Sequence, residues 1–108
     1  MYVVYYQWQI KPGKETQFIE AWTRLTEALQ QKTPKVAGKL LKTLQEEYIA
    51  LIEWPSQKDW ESQTTENIDL SIQTQLMDCV ENMVSVIPLQ CLKEVKPDRK
   101  STRLNSSH

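Results

Sequence analysis

Residues 2–15, YVVYYQWQIKPGKE, decide the fold of this 108-residue chain. Alternate positions of the first nine residues form a bulky apolar face, which consists of Val4, Tyr6, Trp8 and Ile10. The intervening positions form a more polar face, which carries Tyr5, Gln7 and Gln9. This alternation predicts a β-strand that lies between two different environments. Pro12-Gly13 ends the strand, and Glu15 is an acidic residue of the kind that favours a helix N-terminus.

An amphipathic helix follows this turn. Its apolar side chains recur at intervals of four, three and four residues, at Phe18, Trp22, Leu25 and Leu29. This spacing places them on one face of the helix. A strand that runs directly into a helix, with aromatic side chains on the shared face, predicts a layer of sheet and helix. Such a layer encloses a pocket in many small enzymes and is a filled core in other proteins.

A β-hairpin is predicted after the first helix. Residues 39–44 and 48–54 flank the polar turn Gln45-Glu46-Glu47, and so short a turn predicts antiparallel pairing. Both faces of residues 48–54 are largely apolar, which indicates a strand that is covered on both sides. The helices supply one cover. Because one small domain has nothing further to offer, a partner subunit is expected to supply the other.

Two more helices and a last strand complete the predicted order. Ser56 and Asp59 have the spacing of a capping box, which starts a short helix. Apolar residues spaced by three and four predict a longer helix over about residues 67–85, ended by Pro88. Residues 89–95 form the last predicted strand. The fold class is therefore α+β, a ferredoxin-like βαββαβ arrangement with a short extra helix and an antiparallel sheet.

The C-terminal residues 98–108 are separated from this domain, which is predicted to span residues 1–97. All eleven residues, DRKSTRLNSSH, match the in-frame translation of a common sequencing-adapter oligonucleotide. We interpret them as a processing artefact rather than as a natural polar tail. The only histidine of the chain, His108, lies in this segment and is left out of every candidate site. The native C-terminus beyond Pro97 is left open.

Composition argues against several kinds of partner and compartment. Residues 1–97 carry ten Lys and Arg against thirteen Asp and Glu, and no basic cluster indicates a nucleic-acid surface. No apolar run approaches the roughly 20 residues that span a bilayer, and no signal peptide is visible. Cys79 and Cys91 are interpreted as buried thiols rather than as a disulfide. A cytoplasmic protein without nucleic-acid or membrane partners is expected.

Three stretches carry a family resemblance: residues 5–22, 48–60 and 89–95. Residues 5–22 are similar to the first strand, Pro-Gly turn and first helix of one family. Residues 48–60 are similar to its third strand and to the Trp-Pro-Ser start of the helix that follows. Residues 89–95 are similar, more weakly, to its closing strand. That family is the antibiotic biosynthesis monooxygenase family of the dimeric α+β barrel superfamily. Residues 38–42, Gly-Lys-Leu-Leu-Lys, depart from it, because its members carry an Arg-Leu-His-like stretch there.

The resemblance implies a homodimer in which two sheets face each other as a barrel, which would provide the second cover of strand 48–54. It also implies a pocket between the sheet and the helices of each protomer. The family includes oxygenases that oxidise electron-rich aromatic polyketides with dioxygen and without metal or flavin, so the resemblance implies a small phenolic or quinol-like substrate for this chain. The resemblance therefore predicts a monooxygenase that needs no cofactor. Its candidate pocket residues are Trp60, Tyr6, Trp8, Trp22 and Trp54.

Other chemistries are disfavoured by the residue types present. Without His108 there is no histidine to bind zinc or haem iron. Gly13 and Gly38 lie too far apart for a glycine-rich phosphate loop, and no Ser-His or Cys-His nucleophile can be assembled. Neither a metal nor an organic cofactor is expected.

Each pocket candidate also has a purely structural interpretation. Trp60 fits a hydrophobic staple with Pro55, Trp22 fits the core face of the first helix, and Tyr6 and Trp8 fit the core of the sheet. Two alternatives to the enzyme therefore stand: a non-catalytic domain that binds a small aromatic ligand, and a structural dimer with a filled interior. A cavity beside Trp60 would favour the enzyme and the binding domain over the filled dimer.

Overall fold

Four antiparallel strands form one sheet, and the helices pack on one of its faces. The computed structural model describes residues 2–65 and 70–97. The elements in chain order are β1 Tyr2–Ile10, α1 Glu15–Lys32, β2 Ala37–Lys42, β3 Tyr48–Trp54, α2 Gln57–Thr65, α3 Leu70–Asp78 and β4 Val80–Gln90. The strand order β2-β3-β1-β4 confirms the predicted ferredoxin-like α+β fold. No helix among the described residues is long and apolar enough to cross a membrane.

The pairing of the central strand β1 determines which side chains form the core. It pairs with β3 from Tyr2 opposite Trp54 to Trp8 opposite Tyr48, and with β4 along its other edge. Val4 and Trp8 are buried against the helices, as the alternation predicted. Two clusters of buried side chains fill this side of the sheet, and Tyr6 packs against both of them.

An aromatic set holds α1 against the sheet. The Phe18 ring lies edge-on to Trp8, with ring centroids 5.2 Å apart, and edge-on to Tyr48 at 5.5 Å. Such edge-to-face pairs stabilise a fold by about 0.5–1.5 kcal/mol beyond the area they bury. Leu29, further along α1, belongs to the second buried cluster. The apolar face predicted for this helix is therefore the face that packs.

The prediction for the C-terminal third was wrong about where helix gives way to strand. Residues 67–85 were expected to be helical, but α3 ends at Asp78, and β4 already begins at Val80. The predicted strand 89–95 overlaps β4 only at its end, because β4 finishes at Gln90. Residues 67–69 of the predicted helix, and residues 98–108 with their interpretation as an adapter translation, lie outside the described residues.

Two irregularities in the pairing of β4 explain this error. Val80, Met83 and Val86 oppose alternate residues of β1, although they are spaced by three. The register shifts leave Val84 and Glu81 as extra residues on β4, as in β-bulges. A bulged strand therefore presented the three-residue spacing of a helix. Pro88, which was expected to end a helix, lies within β4, an edge strand where proline is tolerated.

Two smaller expectations have clear outcomes. β2 occupies Ala37–Lys42 rather than 39–44, because the Thr43 N–H donates to the Glu47 carbonyl at 2.8 Å and so begins the turn. Cys79 and Cys91 are free thiols, as predicted, and Cys79 is buried, but Cys91 is only partly buried because it lies just beyond the end of β4.

Gly38 of β2 lies against the ring of Trp22, which predicts the effect of a substitution. A Cβ at position 38 would lie 3.2 Å from Trp22 Cζ2 and 3.3 Å from Cη2. We expect Gly38→Ala to lower the free energy of unfolding by about 1 kcal/mol, because overpacking outweighs the gain from a less flexible unfolded chain. Urea denaturation measures this change. A variant as stable as the wild type would contradict so tight a contact.

Candidate functional site

A cavity of about 290 Å³ lies between the sheet and the helices. Its wall is mostly aromatic and aliphatic, and Gln73 of α3 is the one side-chain amide among the described lining residues. All five residues proposed from the sequence border this cavity: Tyr6, Trp8, Trp22, Trp54 and Trp60. The structure therefore brings the candidates together, and their contact with a ligand stays a prediction.

The alternation of β1 delivers two of the aromatic rings. Tyr6 and Trp8 point to the helix side of the sheet, where their rings stack with centroids 5.6 Å apart and planes 4° from parallel. Trp54 ends β3 and Trp22 lies in the middle of α1. These positions follow from the two-residue period of the strands and from the helical spacing of α1.

The N-terminus of α2 positions Trp60. Ser56 caps the helix, since its Oγ accepts from the Asp59 N–H at 3.2 Å and donates to Asp59 Oδ2 at 2.9 Å. Trp60 follows in the first turn of α2, with its ring centroid 5.7 Å from that of Tyr2. Its indole Nε1–H donates to the Tyr6 hydroxyl at 3.2 Å. This hydrogen bond ties α2 to the central strand across the cavity wall.

The other three tryptophans are held differently. Trp8, Trp22 and Trp54 bury their indole N–H groups without a hydrogen-bond partner in the described part of the chain. Because an unpaired buried donor costs about 1–3 kcal/mol, their positions rest on packing. Among the described lining residues, Trp60 and Tyr6 are the two that are joined by a hydrogen bond between side chains.

Tyr6 is the only titratable residue among the described lining residues. Burial raises the pKa of its phenol above the ordinary value of 10.0, and the hydrogen bond from Trp60 offsets part of that rise. The phenol is therefore protonated at neutral pH. It can donate a hydrogen bond but cannot act as a general base.

The sequence did not indicate every lining residue. Gln73, Met77 and Met83 also border the cavity. Met83 was expected on a helix, so its position opposite Trp8 in β4 was not foreseen. Of these three residues, only Gln73 carried a signal in the sequence, because it is a polar residue on the inner face of α3. In the described residues, no group of three or more His, Cys, Asp or Glu side chains could hold a metal ion.

Together, the sheet order and the aromatic cavity define a ferredoxin-like α+β protein with a pocket between sheet and helices. No family model and no curated protein matches this sequence. Solved structures match the fold of the chain, and they confirm that it is the fold of antibiotic biosynthesis monooxygenase proteins.

Three of these structures show how similar the folds are. A proposed antibiotic biosynthesis monooxygenase from Caulobacter crescentus has a TM-score of 0.74 at 13% identity, over 85% of this chain and 90% of that one. A mutant of SnoaB, a cofactor-independent oxygenase from Streptomyces nogalater, has a TM-score of 0.73 at 12% identity, with 89% and 97% covered. A proposed family member from Nitrosomonas europaea scores 0.68 at 18% identity, with 86% and 100% covered. Identities this low establish the shared fold alone.

The raised pKa of Tyr6 predicts a loss of stability in alkali. Well below pH 10 the phenol is protonated in the folded and the unfolded chain, so its contribution to stability is complete. Above pH 10 the unfolded chain ionises first, and the free energy of unfolding falls as the pH rises through the pKa of the folded state. We expect a steeper fall for the wild type than for Tyr6→Phe in urea denaturation above about pH 10. Parallel pH profiles would contradict the burial of this phenol.

Proposed function

We propose that this chain is a cofactor-independent monooxygenase that oxidises a small phenolic or quinol-like aromatic substrate. The observation that carries the proposal is the cavity walled by Tyr6 and four tryptophans. Rings of this kind stack on a planar aromatic ligand. The fold is also that of SnoaB, a cofactor-independent oxygenase. The cavity volume of about 290 Å³ lies just below the ~300–1,000 Å³ typical of ligand pockets, so a compact fused-ring substrate fits best.

The proposed reaction takes its electrons from the substrate. An anthrone-like substrate loses a proton from its CH₂ group, and the resulting carbanion transfers one electron to dioxygen. The two radicals combine to form a C–O bond, and the peroxide takes up a proton. Loss of water then leaves a carbonyl group. One dioxygen is consumed and one water is formed for each substrate oxidised, so no external reductant is required.

The site favours binding and desolvation over acid–base catalysis. The described lining offers neither a carboxylate nor a histidine, and the Tyr6 phenol is protonated. The proton of the substrate would therefore leave to solvent, and the rate is expected to follow the ionisation of the substrate. Exclusion of water around the ring is the contribution that an apolar cavity can make.

The same observation supports a second candidate function. A lining without a base in its described residues would equally suit a non-catalytic domain that binds a small aromatic ligand. The filled structural dimer is not favoured, because the interior beside Trp60 contains a cavity.

Oxygen uptake by the metal-stripped protein tests the proposed activity. With anthrone-like and hydroquinone substrates, we expect uptake above the rate of autoxidation. Trp60→Ala should lower kcat/KM about tenfold, because one stacking partner is lost. Leu44→Ala is the matched control, since Leu44 is 99% exposed in the β2–β3 turn. Uptake at the autoxidation rate by a folded wild type that still binds these aromatics would favour the binding function.

We also propose a homodimer formed through the open face of the sheet. The face opposite the helices carries apolar side chains from three strands: Val3, Tyr5, Ile49, Leu51, Ile87 and Leu89. The last two are 45% and 42% exposed in one protomer, and a continuous apolar surface of this kind is typical of an interface. The neighbouring amides of Gln7 and Gln9 donate to Glu47 at 2.7 and 3.1 Å, so a partner need not satisfy these hydrogen bonds.

A charge in the middle of this face tests the dimer. Leu51 lies beside Tyr5, and Tyr5 beside Ile87, across the sheet. We expect light scattering to give the mass of a dimer for the wild type and of a monomer for Leu51→Glu, because a carboxylate would be buried without a partner. Leu44→Glu introduces the same charge at an exposed position and should leave the dimer intact. A folded wild-type monomer at micromolar concentration would refute the dimer.

A further inference from the structure

The direction of one hydrogen bond determines what the cavity can offer to a ligand. An indole N–H is a donor only, whereas a phenol both donates and accepts. In the Trp60–Tyr6 contact the phenol oxygen is therefore the acceptor. Among the described residues, no acceptor receives the hydrogen of the Tyr6 hydroxyl. The phenol thus retains a free donor at the cavity wall.

We propose that Tyr6 determines the specificity of the cavity by donating this hydrogen to the carbonyl oxygen of a neutral aryl ketone. The inference rests on the proposed function in one respect, that the cavity is the ligand site. Because an anthrone-like substrate already carries a ketone, what the inference adds is the residue that recognises this ketone and the order of preference that follows: a ketone over the corresponding hydrocarbon and over an aromatic carboxylate.

The surroundings of Tyr6 make it an effective donor. Its ring is fixed by stacking on Trp8 at 5.6 Å and by the hydrogen bond from Trp60. A donor that is already oriented loses little conformational entropy when it binds a ligand. Its partly buried position also strengthens the electrostatic part of a hydrogen bond.

The charge of the lining favours a neutral ligand. None of the described residues around the cavity is Lys, Arg or His, and the other polar groups are the Gln73 amide and the indole N–H groups of the tryptophans. A carboxylate in this cavity would lose its hydration without meeting a cation, which is costly. A ketone needs only the donor that Tyr6 supplies.

This contact would also assist the proposed reaction. When an aryl ketone loses a proton beside its carbonyl group, the negative charge spreads onto the carbonyl oxygen as an enolate. A donor already placed at that oxygen stabilises the developing charge. Tyr6 would thereby promote ionisation of the substrate without acting as a base.

Matched ligands test the inference by isothermal titration calorimetry. 1-Tetralone and tetralin differ only by a carbonyl in place of a CH₂ group, and 1-naphthoate supplies the anion. We expect Tyr6→Phe to weaken 1-tetralone binding about 3- to 10-fold, the value of one hydrogen bond, and to leave tetralin within about twofold. Tyr2→Phe is the control, because Tyr2 contacts the Trp60 ring but does not border the cavity. It should change neither affinity, and 1-naphthoate should bind the wild type more weakly than 1-tetralone.

The possible outcomes separate this inference from the proposed function. Equal losses for the ketone and the hydrocarbon, or no loss for either, would overturn the role of Tyr6 and leave the cavity as a ligand site. 1-Naphthoate binding as tightly as 1-tetralone would overturn the preference for neutral ligands. Failure of all three ligands to bind the wild type would overturn both proposals. If Tyr6→Phe does not fold, the infrared carbonyl stretch of 1-tetralone bound to the wild type replaces it: the stretch should lie below its value in an apolar solvent, and an unshifted stretch would refute the inference.

Discussion

Pairing of β1 with strands on both of its edges is the constraint on which the rest of the structure depends. Because side chains alternate along a strand, this register places Tyr6 and Trp8 beneath the helices and Tyr5 on the open face. A slip of one residue would exchange the two faces. The aromatic core, the cavity and the open apolar face are therefore consequences of one pairing. Phe18 then fixes α1 over the same strand through its edge-on contacts with Trp8 and Tyr48.

The parts that could be predicted from sequence are those in which a single period decides the structure. β1 alternates strictly, α1 repeats at helical spacing, and Ser56 with Asp59 forms the cap that the sequence indicates. β4 could not be predicted in this way, because its extra residues Glu81 and Val84 interrupt the two-residue period. The interruption is visible only once the partner strand is known, and pairing with β1 outweighs the helical pattern.

The candidate site was predictable to a similar extent. Four of its rings follow from local periodicity, since strand and helix patterns already put Tyr6, Trp8, Trp22 and Trp54 on inward faces. The contact of Trp60 with Tyr6 joins residues that lie 54 positions apart, and it depends on the angle at which α2 leaves β3. The structural interpretation of these residues also holds in part. Trp8 and Trp54 are 3% and 2% exposed, so they belong to the core and border the cavity at once.

This double role explains the chemical character of the site. A small domain has room for one core, and here the walls of that core are also the walls of the cavity. Charged groups would destabilise such walls unless they were paired, and the described lining contains none: its polar groups are a protonated phenol, an amide and indole N–H groups. Under the proposed function, reactivity must then come from the substrate, and the protein contributes position, exclusion of water and the donor of Tyr6. A ligand that ionises readily would be oxidised in such a cavity, whereas one that does not would only be bound. The two candidate functions therefore differ in the acidity of the ligand rather than in the architecture of the site.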